Sequence, residues 1–391
     1  MPRYKKGKNK DGVEVYFVRV NYTDVDGEYK TKSKTVAGIE NAKTLERQFE
    51  REIEELKNAG RKDIKGLTVQ QVFDEWIQYK GVDDIKKTSI DKHRRNFQYY
   101  ILPMIANKRI DKLNTAILMD WRTALGEQKK TNGELLSVST KKGAYTSLRA
   151  MIGYAIAKNY ITENPLKNVK RFKDANGVRK KMTIYTDKQF KRFIQVAKQE
   201  AERHEEEHND LSEWNYYVFF NILFFMGVRK GEGYAFDWDD IDNEWLTIER
   251  SITQRLKGGD VETGPKTKSS YRTLQIPKPL IAILNEHKKR QQMHDELWTT
   301  KHRICGYGVR CIRNSTLQRR NEKYAKMAGL HTIRIHDFRH SHVSVLANAG
   351  INIKEVAKRL GHDRVEMTWN TYAHMYDREH ERAISVLDMI A

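Results

Sequence analysis

The alternation of apolar and polar residues predicts a small β-sheet near the start of the chain. In residues 13–22 (VEVYFVRVNY) apolar side chains recur at every second position, and residues 29–36 (YKTKSKTV) follow after Asp26-Gly27. Two alternating runs with a turn pair between them indicate a β-hairpin, to which the first residues could add a short third strand. Residues 41–58 carry apolar side chains at helical spacing, so we expect a helix to follow the sheet.

The middle of the chain has the periodicity of an all-α domain with four or five helices. Residues 67–79, 87–101, 114–125 and 137–159 each repeat apolar side chains at helical intervals. Two segments border this domain. Residues 60–66 (GRKDIKG) are polar, and residues 167–181 are rich in Lys and Arg without an apolar period, so both are predicted to be exposed linkers.

The last part of the chain mixes helices and strands. Helical patterns at 187–201 and 214–226 precede a β region at 245–252 and 271–276, and helices return after Thr316. The predicted fold class is therefore multidomain α+β. It comprises a small N-terminal β-sheet with a helix (residues 1–65), an all-α domain (66–175) and a mixed, mainly α domain with a small sheet (176–391).

Composition excludes several classes of protein. The 391 residues are 39% apolar, which is enough for two or three hydrophobic cores and excludes a disordered, collagen-like or disulfide-stapled chain. Two cysteines and a start without an apolar signal region predict a reducing, cytoplasmic compartment. The longest apolar run, residues 216–228, is shorter than a membrane span and contains Asn221, so no membrane partner is expected.

The charge points to a nucleic-acid partner. The net charge is +20, and residues 66–181 hold 23 Lys or Arg against 11 Asp or Glu, whereas the flanking parts are nearly balanced. In the helical domain and in the hairpin, the candidate DNA contacts are Lys86, Lys87, Arg94, Arg95, Lys141, Lys142, Arg19, Lys30, Lys32 and Lys34. The alternatives are a merely solvated lysine-rich surface and, for the sheet, a cap on the next domain.

Two basic residues of the last domain stand at turns. Arg229 follows a buried helix in MGVRKGE, where its planar guanidinium could bind a phosphate or simply pair with Glu232. Lys266 lies near the tip of a hairpin in TGPKTKSSYRTLQIP, where it could donate a proton or belong to an ordinary basic loop.

The segment HDFRH is more specific. His336 and Arg339 stand three residues apart, so both lie on one face of the first turn of a predicted helix that Gly350 ends. The backbone N–H groups of a first helical turn favour an anion. Zinc is the rival ligand, but HExxH is absent and the two cysteines lack a zinc-finger spacing, so no metal is expected.

A second helix places a histidine at its end. Asn352 is a good N-cap in NIKEVAKRLGH, and Gly361 is a good stop, so His362 is presented just beyond the helix. Tyr372 follows ten residues later. Taken alone, a tyrosine in such a helix more often belongs to the core or the surface than to an active site.

The five motifs, in this order and spacing, resemble the catalytic domain of the tyrosine recombinases, the phage integrase family. Residues 67–172 resemble the core-binding domain of that family. Residues 1–65 resemble the arm-binding domain found in integrases of temperate phages and of Tn916-like conjugative transposons. The resemblance implies a site-specific recombinase that integrates and excises a mobile element through a 3′-phosphotyrosyl intermediate.

The resemblance also implies roles for residues. Arg229, Lys266, His336, Arg339 and His362 would surround the scissile phosphate, and the nucleophile would be Tyr372. Two guanidinium groups can neutralise the phosphate without a metal. His336 would be the general base, Lys266 would protonate the 5′-oxygen, and religation would need neither ATP nor a cofactor.

The expected partners are duplex DNA with core-type and arm-type sites, three further copies of the chain in a homotetramer, an excisionase and a host DNA-bending protein, on the bacterial nucleoid. Several alternatives stay open. The chain could be a type IB topoisomerase-like strand transferase or a non-catalytic DNA-binding regulator, and Tyr376 could replace Tyr372. An apolar stripe in the tail could dock within its own protomer or on a neighbour; it comprises Ala383, Val386, Leu387 and Ile390.

Overall fold

The computed structural model divides the chain into two compact units, Met1–Gly177 and Val178–Ala391. It describes residues 3–8, 10, 12–23, 29–59, 66–82, 87–174, 182–254, 256, 259–264, 268–373 and 387–389. Within these ranges, no helix is long and apolar enough to cross a membrane.

The first unit begins with the predicted sheet. Its strands are β1 (Arg3–Lys8), β2 (Glu14–Thr23) and β3 (Tyr29–Ala37), which are antiparallel in the order β1-β2-β3. Helix α1 (Ile39–Ala59) packs on this sheet and buries Val18 against Ala42, Leu45 and Phe49. The hairpin, the third strand and the helix are therefore confirmed.

The rest of the first unit is helical, as the periodicity predicts. Its helices are α2 (Val69–Val82), α3 (Lys87–Asn96), α4 (Leu102–Ile105), α5 (Thr115–Glu127) and α6 (Val138–Ala157), with a π-helical turn at Phe97–Ile101 and a 3₁₀ turn at Ile110–Lys112. Asn114 and Ser137 cap α5 and α6 through their side-chain oxygens. The buried side chains of these helices form a hydrophobic cluster distinct from that of the sheet, with Trp76, Trp121 and Leu148 fully enclosed.

The segment predicted to be an exposed linker is partly anchored. Leu166, Val169 and Phe172 are buried in the helical core. The Tyr145 hydroxyl donates to the Val169 carbonyl at 2.9 Å, and the Arg122 guanidinium lies 4.8 Å from the centre of the Phe172 ring. The prediction was wrong for residues 167–172, because three apolar side chains spaced three apart suffice to dock an irregular segment. Residues 175–181 lie outside the described part, and the three-domain division stays a prediction.

The second unit has the predicted mixture of helices and short strands. The helices are α7 (Asp187–His208), α8 (Ser212–Met226), α9 (Lys230–Ala235), α10 (Lys278–His294), α11 (Asn314–Met327), α12 (Asp337–Asn348), α13 (Ile353–Leu360) and α14 (Val365–Tyr372). The strands are β4 (Ile241–Asp242), β5 (Trp245–Ile248), β6 (Ser251–Thr253), β7 (Val261–Thr263), β8 (Arg272–Gln275), β9 (Gly306–Tyr307) and β10 (Arg310–Cys311).

Helix α8 is the centre of this unit. Nearly all of its residues are buried, and it packs against α7, α10 and α12, which explains why its sequence is apolar on every side. Strands β4, β5 and β8 form one antiparallel sheet in which Leu246 opposes Leu274. The predicted fold class, a mainly helical α+β chain with small sheets, is confirmed. The C-terminal end of α8, the first turn of α12 and the C-terminal end of α13 lie next to one another, and the candidate site is located there.

Candidate active site

Arg229 stands where α8 turns into α9. Gly227 ends α8 with φ at +62°, and a Cβ there would lie 2.4 Å from the His342 ring, so a larger residue does not fit. Arg229 Nη1 donates to Glu232 Oε1 at 2.8 Å, and the Arg229 backbone N–H donates to Glu232 Oε2 at 2.8 Å. The Arg229 side chain keeps 37% of its surface exposed, so one edge is held and the remainder can reach a ligand.

A buried carboxylate joins this turn to strand β8. Arg272 Nη2 donates to Glu232 Oε2 at 2.8 Å, and both side chains are buried. Burial alone would raise the pKa of Glu232, but Arg272 and Arg229 outweigh it and lower the pKa to about 2. Arg272 also donates to the carbonyl groups of Arg359 and Ser270. Glu232 is therefore ionised and fixes two arginines at once.

Arg339 is the most enclosed cation of the site. It lies in the first turn of α12 and is 2% exposed. Its Nη1 donates to the Gly227 carbonyl at 2.8 Å, and its Nη2 donates to the Leu360 carbonyl at 2.7 Å. Burial and the neighbouring Arg229 lower the pKa of Arg339 to about 9. Backbone carbonyl groups thus hold a guanidinium that still lacks a full counter-charge, which suits a site for an anion.

His362 completes the cationic side of the pocket. Gly361 ends α13 with φ at +66°, and His362 follows directly, as predicted. Arg339 Nη2 lies 3.0 Å from His362 Nε2, and Thr368 Oγ1 lies 2.8 Å from His362 Nδ1. Burial and then Arg339 lower the pKa of His362 to about 4, so the ring is neutral. The Nε2 atom of the ring can accept a hydrogen bond from Arg339, and the single N–H proton of the ring is on Nδ1.

The two arginines converge on one helix end. Arg229 Nη2 lies 3.4 Å from the Gly361 carbonyl, next to the Leu360 carbonyl that holds Arg339. Three predicted residues, Arg229, Arg339 and His362, are therefore brought together although they come from three separate elements.

The nucleophile predicted from the sequence is buried beside them. Tyr372, at the end of α14, is 2% exposed and packs with Val343, Val356 and Leu360. Its hydroxyl lies 2.6 Å from Nδ1 of His340. His336 is the N-cap of α12 and keeps solvent access, although partial desolvation and Arg339 lower its pKa. The role of proton acceptor for His336 stays a prediction; in this structure the histidine in contact with the Tyr372 hydroxyl is His340.

Some predicted residues lie outside the described part of the chain. These are Lys266, Lys86, Tyr376 and most of the C-terminal tail, residues 374–386. The strands on either side of Lys266 do not pair with each other, because β7 pairs with β6 and β8 pairs with β5, so the predicted hairpin at this position was wrong. In the 3₁₀ turn Lys268–Ser270, which precedes β8, Ser269 is hydrogen-bonded to Asp363, the neighbour of His362.

The candidate DNA contacts of the helical unit separate into two kinds. Lys87, Arg94, Arg95 and Lys142 are exposed. Lys141 is only 8% exposed, and its ammonium group donates to the Gly126 carbonyl at 2.6 Å. The assignment of Lys141 to DNA is therefore corrected, because its charge is used within the protein.

The candidates in the sheet do not share one face. Lys30, Lys32 and Lys34 stand opposite Tyr22, Val20 and Val18, so they lie on the face that α1 packs against. Lys32 is paired with Glu52 of α1 at 2.6 Å. Arg19 opposes Ser33 on the other face, where it is exposed. The register therefore does not place all four cations on one face of the sheet, from which they could enter a DNA groove together.

Sequence reasoning missed three residues of the site. Arg272 stands in the SSYRTL run but 40 positions from Glu232, so only the fold reveals the pair. Thr368 and His340 each orient a predicted residue. His340 follows Arg339 directly in HDFRH, so its position in the sequence could have marked it as a candidate site residue. Among the described residues, no group of three or more His, Cys, Asp or Glu could hold a metal ion.

Comparison with known proteins decides the family. The profile of the "Phage integrase family" matches residues 183–379, about half of the chain, and that of the "Phage integrase, N-terminal SAM-like domain" matches residues 68–126. The chain belongs to the phage integrase family. It is therefore a tyrosine recombinase, an enzyme that recombines DNA.

Individual relatives agree with this assignment. The chain is 27% identical to the ICEBs1 integrase of Bacillus subtilis over 95% of both chains, and 24% identical to the integrase of Staphylococcus phage L54a over 85% of this chain and 97% of that one. A structure of the Tn1549 transposon integrase with circular intermediate DNA covers 82% of this chain and 100% of its own, at 21% identity and a TM-score of 0.63. A lambda integrase dimer on a core site covers 97% and 95%, at 16% identity and a TM-score of 0.55.

Proposed function

We propose that this recombinase integrates and excises a mobile genetic element, with Tyr372 as the nucleophile. The observation that carries the proposal is the convergence of Arg229, Arg339 and His362 around one helix end, with the Tyr372 segment following directly. The similarity to the ICEBs1 integrase and to the integrase of Staphylococcus phage L54a supports the biological role.

The chemistry follows from these groups. A phosphodiester attacked by tyrosine gathers negative charge on its non-bridging oxygens, and two guanidinium groups can neutralise that charge. The Tyr372 oxygen bonds to phosphorus while the bond to the 5′-oxygen breaks. Lys266 is the proposed donor of the proton that the 5′-oxygen needs, His336 is proposed to bind the phosphate, and His362 is proposed to position Arg339. Attack of a 5′-hydroxyl on the phosphotyrosyl bond restores the DNA without ATP.

The proposed assembly has four copies of the chain on two duplexes. A lambda integrase tetramer on a Holliday junction, at a TM-score of 0.54, supports this arrangement. Residues 1–65 are proposed to bind arm-type sites, and residues 66–175 with the catalytic unit to bind core-type sites. An excisionase and a host DNA-bending protein are the proposed directionality partners, and the bacterial cytoplasm and nucleoid are the proposed location.

Recombination between paired sites tests this function. With a plasmid that carries the two ends of the element, the wild-type protein should excise a circle, and Tyr372→Phe should bind the sites equally well without forming product. Loss of residues 1–65 should preserve cleavage of a core site and abolish preference for DNA with arm sites. Relaxation of a single supercoiled duplex without any paired-site product would contradict the proposal and favour a topoisomerase.

A further inference from the structure

The hydroxyl of Tyr372 has a specific partner. His340 Nδ1 lies 2.6 Å from the Tyr372 oxygen, and the two ring centres are 5.4 Å apart. Both residues are buried, and both are held by helices, His340 by α12 and Tyr372 by α14. A reacting oxygen and a basic nitrogen are thus in hydrogen-bond contact before any substrate is bound.

The protonation states determine which atom donates. Burial and the nearby His336 lower the pKa of His340 to about 4, whereas burial raises the pKa of Tyr372 to about 12. At neutral pH the ring is therefore neutral, and the hydroxyl keeps its proton and donates it to Nδ1. The single N–H proton of the neutral ring is then on Nε2, in the tautomer that this network requires.

The far side of His340 faces a carboxylate. Nε2 lies 3.8 Å from Asp337 Oδ1, and Asp337 is almost fully buried. Arg334 holds that carboxylate with two bonds, from Nη2 at 2.8 Å and from Nε at 2.9 Å. The other charged or titratable groups that act on His340 are His336, Arg334 and Arg339.

We propose that His340 is the proton acceptor for Tyr372. This inference rests on the proposed function, since it presumes that Tyr372 attacks the phosphate. In cleavage, the Tyr372 O–H bond breaks as the oxygen–phosphorus bond forms, and the proton passes to Nδ1. The 5′-oxygen departs with a proton from the general acid. In religation, the 5′-hydroxyl returns its proton to that general acid and attacks phosphorus, the bond from phosphorus to the Tyr372 oxygen breaks, and the imidazolium returns its proton to that oxygen.

The surroundings explain how a ring with so low a pKa can serve. Asp337, which faces Nε2, is placed to stabilise the imidazolium that forms when Nδ1 takes up the proton, and a bound DNA phosphate adds negative charge to the pocket. His336, at the exposed start of α12, remains available for the phosphate itself. In this proposal, His340 accepts the proton of Tyr372, and His336 binds the phosphate.

Substitution by asparagine tests the inference. In His340→Asn the amide oxygen can occupy the position of Nδ1 and accept the hydrogen bond, but it cannot take up the proton. We expect unchanged DNA affinity and an adduct rate at pH 7 that is lower by about 100-fold or more, measured in single turnover on nicked suicide DNA. His342→Gln is the matched control, because His342 lies on the same helix and contacts Phe224 rather than Tyr372.

The pH profile separates proton transfer from packing. His340 is neutral throughout pH 6.5–9, so the wild-type rate should change little. Without the acceptor, His340→Asn must react through the tyrosinate, and its rate should rise about tenfold per pH unit. Difluorotyrosine at position 372, which ionises more readily, should restore much of the rate to the variant at pH 7.

Three results would overturn the inference. One is a wild-type rate in His340→Asn, and another is an equal loss at every pH without rescue by difluorotyrosine. The third is an equal loss in the control His342→Gln. If His340→Asn does not fold, His340→Gln with the same profile and rescue decides the matter. Adduct formation by Tyr372→Phe would instead show that the proposed function has the wrong nucleophile.

Discussion

The catalytic pocket and the basic helical surface use positive charge in opposite ways. In the pocket, Arg339 is buried and fixed by backbone carbonyl groups, and Arg272 is fixed by a buried carboxylate. On helices α3 and α6, Arg94 and Lys142 are exposed. Fixed charge sets the geometry for one phosphate, whereas exposed charge contributes affinity along the DNA backbone. Substitutions in the pocket should therefore lower the reaction rate, whereas substitutions on the helical surface should lower DNA affinity.

The largest effect is expected for Arg339→Lys. A lysine cannot donate to both the Gly227 and Leu360 carbonyl groups and also present a planar fork to phosphate. The rate of covalent adduct formation should fall by about 10²–10³-fold, with a small change in DNA affinity, in a suicide-substrate assay. Arg359→Lys is the control, because its guanidinium also donates to a carbonyl, that of Phe225, and should cost less than tenfold. An equal loss of adduct rate in the two variants would show that the enclosed position of Arg339 gives it no special role.

The second effect concerns the carboxylate that holds the arginines. Glu232→Gln leaves Arg272 buried without its counter-charge, so the protein should lose about 3 kcal/mol of unfolding free energy, measured by urea denaturation. The direction in which this stability changes with pH follows from the lowered pKa of Glu232. Its contribution is present above the ordinary value of 4.5 and is lost as the pH falls towards 2. A variant with the same acid stability as the wild type would contradict this account.

The smallest effect separates two neighbouring lysines. Lys142→Gln should weaken DNA binding and reduce the slope of log affinity against log salt by about 0.9 for one lost phosphate contact, measured by fluorescence anisotropy. Lys141→Gln removes a bond to the Gly126 carbonyl, so it should lower the melting temperature and leave the salt slope unchanged. The reverse pattern would show that burial does not decide which lysine meets DNA.

The sequence predicted what is local and missed what depends on packing. The turns that present Arg229 and His362 follow from Gly227 and Gly361, and the cap at Asn352 follows from residue type. These features depend on a few adjacent residues, so their spacing was enough to find them.

The errors concern contacts between distant parts of the chain. Periodicity does not show that Lys141 reaches the end of α5, or that Phe172 docks on the helical core. Nor does it show that His340 faces Tyr372, since that contact needs α12 and α14 to pack together. Residue types and intervals therefore identified the chemistry, whereas the partners of each group required the fold.

The central claim is that Tyr372 forms the covalent bond in a pocket that needs no metal. The most direct test is to trap the protein on nicked suicide DNA in the presence of EDTA, digest the adduct and locate the nucleotide on a peptide by mass spectrometry. The account predicts a 3′-phosphoryl nucleotide on Tyr372 and the same yield with or without EDTA. A nucleotide on Tyr376 or another residue, or an adduct that forms only with a divalent cation, would contradict it.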